Sequence, residues 1–368
     1  MGSIQPIDKA SVHRIASGQV IVDLPSAVKE IVENSIDAGA TSIEVRFKDY
    51  GVKSIEVVDN GTGISPKDYN ALGLKHCTSK LSRYEDLSTI GSFGFRGEAL
   101  SSLCAVCDSV VITTATSAEA PIGTTLELER DGTLRSSEVK IARQRGTTVT
   151  ASGLFVPLPV RRAELTRNVK REFAKALNLL HSYALLPCVV ENDGIRLSVS
   201  NQSEGGKKVV QFRTSGSPDL NSGVSSLWGP KCLTELVPVN LNFIIEPEKS
   251  LLKQTDNKEI EVSVNGLISK FSHGSGRATS DRQFFYINNR PTNSPKVQKV
   301  FNEVYHSFNI NQYPFVLANI SLPTNSYDVN VSPDKRTIFL HRESTLLTSI
   351  KVLIHEMISY SDPEPCPH

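Results

Sequence analysis

The chain has 368 residues, more than one ordinary hydrophobic core accommodates, so two domains are expected, each large enough to fold unaided. Apolar residues make up 39% and charged residues 21%, close to the average of globular chains, and no apolar run approaches the roughly 20 residues that cross a bilayer, so no membrane span is expected. Forty Lys and Arg against 39 Asp and Glu leave a net charge of +1, so any contact with nucleic acid must come from local basic patches rather than from a global field.

The opening MGSIQPIDKASVHRIASG has no apolar run behind a basic end, which argues against a secretory signal and for a reducing compartment. Pro6 stands where a myristoylation motif wants Ser or Thr. Asp23 is placed to cap a helix that tolerates Pro25 in its first turn, carries Val28, Ile31, Val32 and Ile36 at helical spacing, and stops at Gly39. On it Glu30, Asn34 and Asp37 fall at i, i+4 and i+7 and share a face. A carboxylate that orients water beside a neutral amide oxygen that ligates magnesium suits a hydrolytic site, although taken alone the same face reads as solvated polar surface.

SIEVRFK and SIEVVD, joined across DYG, read as two strands of an antiparallel sheet. The second ends in Asp59, a carboxylate able to accept the exocyclic amine of adenine, and Gly61 and Gly63 follow in a tight turn that lets backbone approach a base. SFGFRGEALSSL places Gly94, Arg96 and Gly97 before an apolar-periodic helix whose free N–H groups and dipole can face a phosphate. Cys104 and Cys107, the one close pair among six cysteines, lack a second pair at metal-ligand spacing and are expected to be buried thiols. RGTTV, residues 145–149, opens a strand with hydroxyls that can reach a base through water. Gly, Ser and Asn cluster over 201–226, and a domain boundary is expected near 220. Beyond it, strands are expected at 258–270, 282–288, 315–321 and 327–331 and helices at 295–308 and 343–359, a smaller α+β domain, with Lys335 after a strand and a proline turn. SDPEPCPH reads as the start of a linker.

Any one of these motifs has a bland reading, as an ordinary turn or a surface lysine. Their order does not: VKEIVENSIDAGA, DNGTGI, LKHCTSK, GSFGFRGEALSSL, GTTV and DVNVSPDK together resemble the MutL family of DNA mismatch-repair ATPases over nearly the whole chain. LPVRRAEL, HGSGRATSDRQFFYINNRP, NEVYHSFNINQYPF and SGQV at Ser17–Val20 are similar to its eukaryotic post-meiotic-segregation branch. The resemblance implies an α+β architecture: a Bergerat-type (GHKL) ATPase α/β sandwich over 1–220 with a lid near 73–97, then a transducer-like α+β domain of the βαβ ribosomal-protein-like type over 221–360, with 361–368 beginning a linker. It implies ATP and Mg2+ as ligands, Glu30 as the base that activates water, Asn34 as the magnesium ligand, and Asp59 as the reader of adenine.

Asp37, Gly63, Thr78, Ser79, Lys80, Gly94, Phe95, Arg96, Gly97, Glu98, Ala99, Leu100 and Thr147 complete the nucleotide site by the same resemblance, and Lys335 reaches the terminal phosphate. Ordering a lid of about 20 residues costs on the order of 20 to 40 kcal/mol gross. Closure is therefore expected to need ATP and a second amino-terminal half together, with slow turnover. Further implied partners are an MLH-type MutL homologue, a mismatch-recognition MutS-type complex, and DNA bound without sequence preference through Arg161, Arg162, Arg167, Lys170, Arg171, Arg277, Arg282 and Arg290. Nuclear location follows from the family alone. No DQHA motif occurs, so no nuclease site is expected in this chain, which resembles an amino-terminal portion. A histidine kinase, a type II topoisomerase subunit, a heat-shock chaperone, and a scaffold that binds ATP without turnover are the competing readings.

Overall fold

The computed structural model describes residues 8–78, 80, 92–94, 96–189, 194–245, 259–272, 274–328, 331–332, 336, 338–340 and 342–361. Ser79, Phe95 and Lys335, most of the expected lid and all but the first residue of the expected linker lie outside them. The chain divides into two compact units, Met1–Leu227 and Trp228–His368.

The first unit opens with α1 (Lys9–Val20) and α2 (Leu24–Asp37). The Asp23 carboxylate accepts from the Ser26 amide at 2.8 Å while Ser26 Oγ accepts from the Asp23 amide at 2.9 Å, a reciprocal cap that sets the start of α2. The predicted hairpin follows as β1 (Ser42–Lys48) and β2 (Ser54–Asp59), antiparallel with Ile43 opposite Asp59. After them come α3 (Ala99–Val106), β3 (Ser109–Ala115), β4 (Ile122–Leu128), β5 (Leu134–Ala142), β6 (Gly146–Ser152), α4 (Pro159–Arg167), α5 (Val169–Val189), β7 (Arg196–Gln202), β8 (Lys208–Arg213) and α6 (Leu220–Trp228).

Eight strands form one sheet in the order β5-β4-β3-β6-β2-β1-β7-β8, antiparallel throughout except where β1 meets β7. β2 and β6 are therefore neighbours although 88 residues separate Asp59 from Thr147. α2 packs on α5, α3 and β2, and α1 packs on α3. Val28, Ile31, Val32, Phe47, Ile55, Leu103, Leu180 and Tyr183 belong to one core between helices and sheet, the α/β sandwich expected from the sequence.

The second unit carries β9 (Leu236–Ile245), β10 (Ile260–Ser269), β11 (Gln283–Ile287), β12 (Arg290–Thr292), α7 (Pro295–Phe308), β13 (Val316–Ser321), the two-residue pair β14 (Tyr327–Asp328) and β15 (Phe339–Leu340), and α8 (Glu343–Ser361). Its five-stranded sheet runs β12-β11-β13-β10-β9, with β11 and β13 parallel. β9 was not anticipated: its polar positions Asn240 and Asn242 interrupt the apolar run, and it is stabilised by the ten-residue register with β10. α7 and α8 pack on each other, and their buried Phe301, Val304, Ile350 and Ile354 join the strands in a separate core. Among the described residues no helix is long and apolar enough to cross a membrane.

Candidate nucleotide site

α2 is buried along most of its length, and its polar residues Glu30, Glu33 and Ser35 are buried with it. Glu30 is 5% exposed and Asn34 is exposed at the helix surface. Asp37, the last residue of the helix, has a side chain only 4% exposed. Its two oxygens accept from the Phe93 and Gly94 amides, each at 2.9 Å, and Oδ2 also takes the Lys80 ammonium at 2.6 Å. Asp37 thus pins the glycine-rich segment to the end of α2 through charge-assisted bonds. Lys80 also donates to Asn34 Oδ1 at 3.0 Å. The amide oxygen expected to ligate magnesium is therefore directed at a positive charge, and a hard oxygen in that position fits a divalent cation that completes its shell with phosphate and water.

Asp59 ends β2 and is 7% exposed. Oδ1 accepts from the Gly61 amide at 2.9 Å and the Thr147 amide at 3.1 Å, and Oδ2 accepts from Ser35 Oγ at 3.0 Å. Burial raises its carboxyl above the ordinary value, and these three donors oppose the rise. Gly63 has φ +76, and a Cβ there would stand 2.2 Å from the Ala115 carbonyl oxygen, so the turn after Asp59 passes against β3 closer than a side chain allows. Arg143 braces the turn from behind, donating to the Asp59 carbonyl at 3.2 Å and to Thr148 Oγ1 at 2.7 Å.

The phosphate-facing elements also come together. His76 N donates to the Gly97 carbonyl at 3.0 Å, and Gly97 has φ +61 with room for a Cβ blocked 2.5 Å away by the Cys77 carbonyl oxygen. Glu98 precedes α3 and makes no side-chain cap to its first-turn amides, leaving Ala99 and Leu100 at a helix start that can face an anion.

Residues 22–146 match the family model of histidine kinase-, DNA gyrase B- and HSP90-like ATPases, and residues 244–359 match that of the DNA mismatch repair protein C-terminal domain. Over 361 residues, 96% of this chain, the sequence is 45% identical to the mismatch repair endonuclease PMS2 of Gallus gallus, and over 355 residues it is 44% identical to its counterpart in Homo sapiens. The chain belongs to the MutL family of mismatch-repair proteins, in its PMS1/PMS2-type branch.

It spans about 40% of the length of these MutL-family relatives. A crystal structure of the N-terminal domain of a DNA repair protein superposes with a TM-score of 0.82 at 40% identity, covering 95% of this chain and 98% of the other. An Aquifex aeolicus MutL ATPase-domain variant, 22% identical with a TM-score of 0.51 over 90% of this chain, shares the fold.

The ATPase-type match spans Glu30, Asn34, Asp37, Asp59 and the glycine-rich segment, and the second match includes Lys335. Thr147 stands one residue past the first match and lies at the Asp59 end of the site: its amide serves Asp59, and its hydroxyl lies 3.1 Å from Thr114 Oγ1. Ser35 and Thr114 were missed, because a serine or threonine beside a carboxylate leaves no periodic signal.

The expected DNA contacts change more. Arg161 donates to the Gly18 and Ile21 carbonyls at 2.7 and 3.3 Å, and Arg162 to the Val52 and Leu154 carbonyls at 2.8 and 2.9 Å. Both close the ends of buried backbone rather than presenting a free cation. Arg277 forks onto Asp281 at 3.0 and 2.9 Å, and Arg282 lies over the Trp228 ring at 5.2 Å. Arg290 sits at the head of β12. Arg167, Lys170 and Arg171 are the exposed members of the expected set. Cys104 and Cys107 are buried, as anticipated, and burial pushes the Cys104 thiol up to about 12.

Proposed function

We propose that this chain binds Mg-ATP and hydrolyses it slowly as the nucleotide-driven switch of a mismatch-repair factor. The observation that carries the reading is the anchored pair of carboxylates: Asp59, fixed by three donors at the adenine end, and Asp37, holding the glycine-rich segment at the phosphate end, with Glu30 and Asn34 on the helix between. In this reading Asp59 accepts the adenine amine, and Gly63 clears space for the base. The amides of Gly97 and the start of α3 receive phosphate oxygens, with Gly94 held beside them by Asp37 and with Thr78, Ser79 and Lys80 on the lid side. Glu30 takes a proton from the attacking water, which needs a carboxylate held close and desolvated. Magnesium would be held by Asn34 and would supply positive charge against the phosphates. Lys335 supplies further charge at the terminal phosphate.

The residues around 73–97 close over the nucleotide, and closure is coupled to pairing with an MLH-type homologue in the nucleus, upstream of which a MutS-type complex recognises the mismatch. DNA binds without sequence preference through exposed lysines and arginines of α4 and α5. Steady-state hydrolysis of the whole chain beside Glu30→Ala, with nucleotide binding followed in parallel, tests the reading. Turnover lost by about 100-fold or more with binding retained supports it. Equal rates overturn Glu30 as the base, and binding without turnover in both leaves an ATP-binding scaffold in its place.

A further inference from the structure

Two charged residues and a tyrosine, Lys29, Glu33 and Tyr183, are buried beside Glu30 and have no part in the chemistry above. Lys29 is 2% exposed, and its ammonium lies 2.7 Å from Glu30 Oε1 and 2.9 Å from Glu33 Oε2. Glu33, 3% exposed, accepts at its other oxygen from the Tyr183 hydroxyl of α5 at 2.5 Å. Tyr183 is 1% exposed, and its ring lies 5.9 Å from that of Phe93, next to the segment hung on Asp37. One cation is thus divided between two carboxylates of its own helix, and the carboxylate away from the site is tied at both oxygens.

A charge that deep is retained only where partners repay its dehydration, and breaking such a set leaves an uncompensated ion. Burial alone drives the Lys29 ammonium down, but Glu33 and Glu30 outweigh it and hold Lys29 above its ordinary value, so it stays charged. The same balance reads in reverse for the carboxylates. Without a cation, burial disfavours the ionised form of a carboxyl group, and a general base must be ionised to accept a proton. On elements packed against α2, Glu172 of α5 pairs with Arg171 and Lys175, His181 lies against Phe212, burial pushes the Cys188 thiol up, and Glu56 of β2 pairs with Arg46. Asp59 of β2 is held by Ser35, Gly61 and Thr147, and Asp37 by Lys80 and two amides. The thiols of Cys104 in α3 and Cys107 just after it are pushed up by burial.

We infer that Lys29 is a positioning residue for the general base: shared with Glu33 and Tyr183 in a dry site, its ammonium keeps the Glu30 carboxylate ionised and fixed in place. The inference rests on the reading of Glu30 as that base. Glu33 then sets the strength of the effect, because it draws off part of the cation and adds a negative charge near Glu30. Lys29→Met and Glu33→Gln should therefore move Glu30 in opposite directions, which loss of packing does not do.

The test follows Glu30 by carboxyl 13C NMR titration in the nucleotide-free chain, assigned with Glu30→Gln, and follows the acid limb of the kcat–pH profile in the same variants. In Lys29→Met both midpoints rise by about one pH unit or more. In Glu33→Gln both fall, while ATP affinity in each variant stays within about threefold of wild type. Unmoved midpoints, or shifts of the same sign in both variants, overturn the inference. If Lys29→Met does not fold, Glu33→Gln keeps the cation and decides alone, a downward shift supporting and no shift overturning. Glu30→Gln that hydrolyses ATP at the wild-type rate is a separate result: it removes Glu30 as base and leaves the NMR midpoints to judge Lys29.

Discussion

Replacing Asp37 by Asn tests whether the phosphate-side segment hangs on the end of α2. The carboxylate now satisfies the Phe93 amide with one oxygen and the Gly94 amide and Lys80 ammonium with the other. An amide keeps a single accepting oxygen and turns an NH2 toward the remaining donor, so one backbone bond and the ion pair are lost. A hydrogen bond to a charged acceptor contributes about 1.5–3 kcal/mol, and the pair with a Lys80 side chain that is 23% exposed adds only about 0.5–1. The sum, about 2–4 kcal/mol, falls on the local opening of residues 92–97 rather than on the whole domain, since Phe93 keeps its buried ring against Tyr183. Amide hydrogen exchange at Phe93 and Gly94 in the nucleotide-free chain should therefore quicken by roughly 30- to 1000-fold, with ATP affinity reduced in parallel. Exchange within about threefold of wild type at both amides would refute the anchoring argument.

Two further outcomes follow from charges that the fold uses differently. Glu44 is held down to about 2, first by its hydrogen bond from Arg46 and then by Lys208. Its folded value lies below the unfolded one, so it contributes stability above about pH 4.5 that is lost as pH falls toward 2. Glu44→Gln should cost about 1 kcal/mol at pH 7 and nothing at pH 2 in urea denaturation, after allowing for screening of a partly exposed group. Arg162→Met, which strips two part-buried carbonyls of their donor, should lower stability by about 1 kcal/mol while leaving the salt slope of DNA binding unchanged. Arg167→Ala with Lys170→Ala should do the reverse, reducing the slope of log K against log salt by about 2 with the melting temperature unmoved.

How much of this was legible in the sequence depended on how far each determinant reached along the chain. Asp23 and Ser26 cap each other across three residues, and Gly61 and Gly63 mark a turn by their own conformational freedom, so both were readable locally. The order of the motifs then supplied a family and the roles proposed for Glu30, Asn34 and Asp59. What holds those roles in place was not readable. Asp59 takes donors from Ser35 and Thr147, 24 and 88 residues away, and Glu33 takes one from Tyr183, 150 residues away. Lys29 and Glu33 looked like ordinary charges in a helical pattern, because periodicity records where apolar residues recur and says nothing of a lysine enclosed by two carboxylates. The intramolecular partners of Arg161 and Arg162 were unreadable for the same reason. An arginine whose donors close backbone carbonyls has the same letter as one that waits for a phosphate.

These long-range contacts bear on where nucleotide binding does its work. Asp59, Asp37 and Glu30 each have partners within the protein, so on the proposed reading the adenine end and the base are held by the fold itself. A preorganised site loses little binding energy to its own ordering. Among the described residues around 73–97, Lys80, Phe93 and Gly94 are tied to the end of the helix that carries Glu30 through Asp37. Lys80 is the informative member, since its ammonium sits on Asn34 Oδ1, the oxygen we assign to magnesium. Metal and lysine cannot both take that oxygen at close range without repulsion. On this reading Mg-ATP bound at Asn34 would draw the Lys80 ammonium away from that oxygen and toward the phosphates. Closure is thereby coupled to the charge of the nucleotide rather than to its base, so adenosine should occupy the Asp59 end and leave the amides of Phe93 and Gly94 exchanging as they do in the free chain.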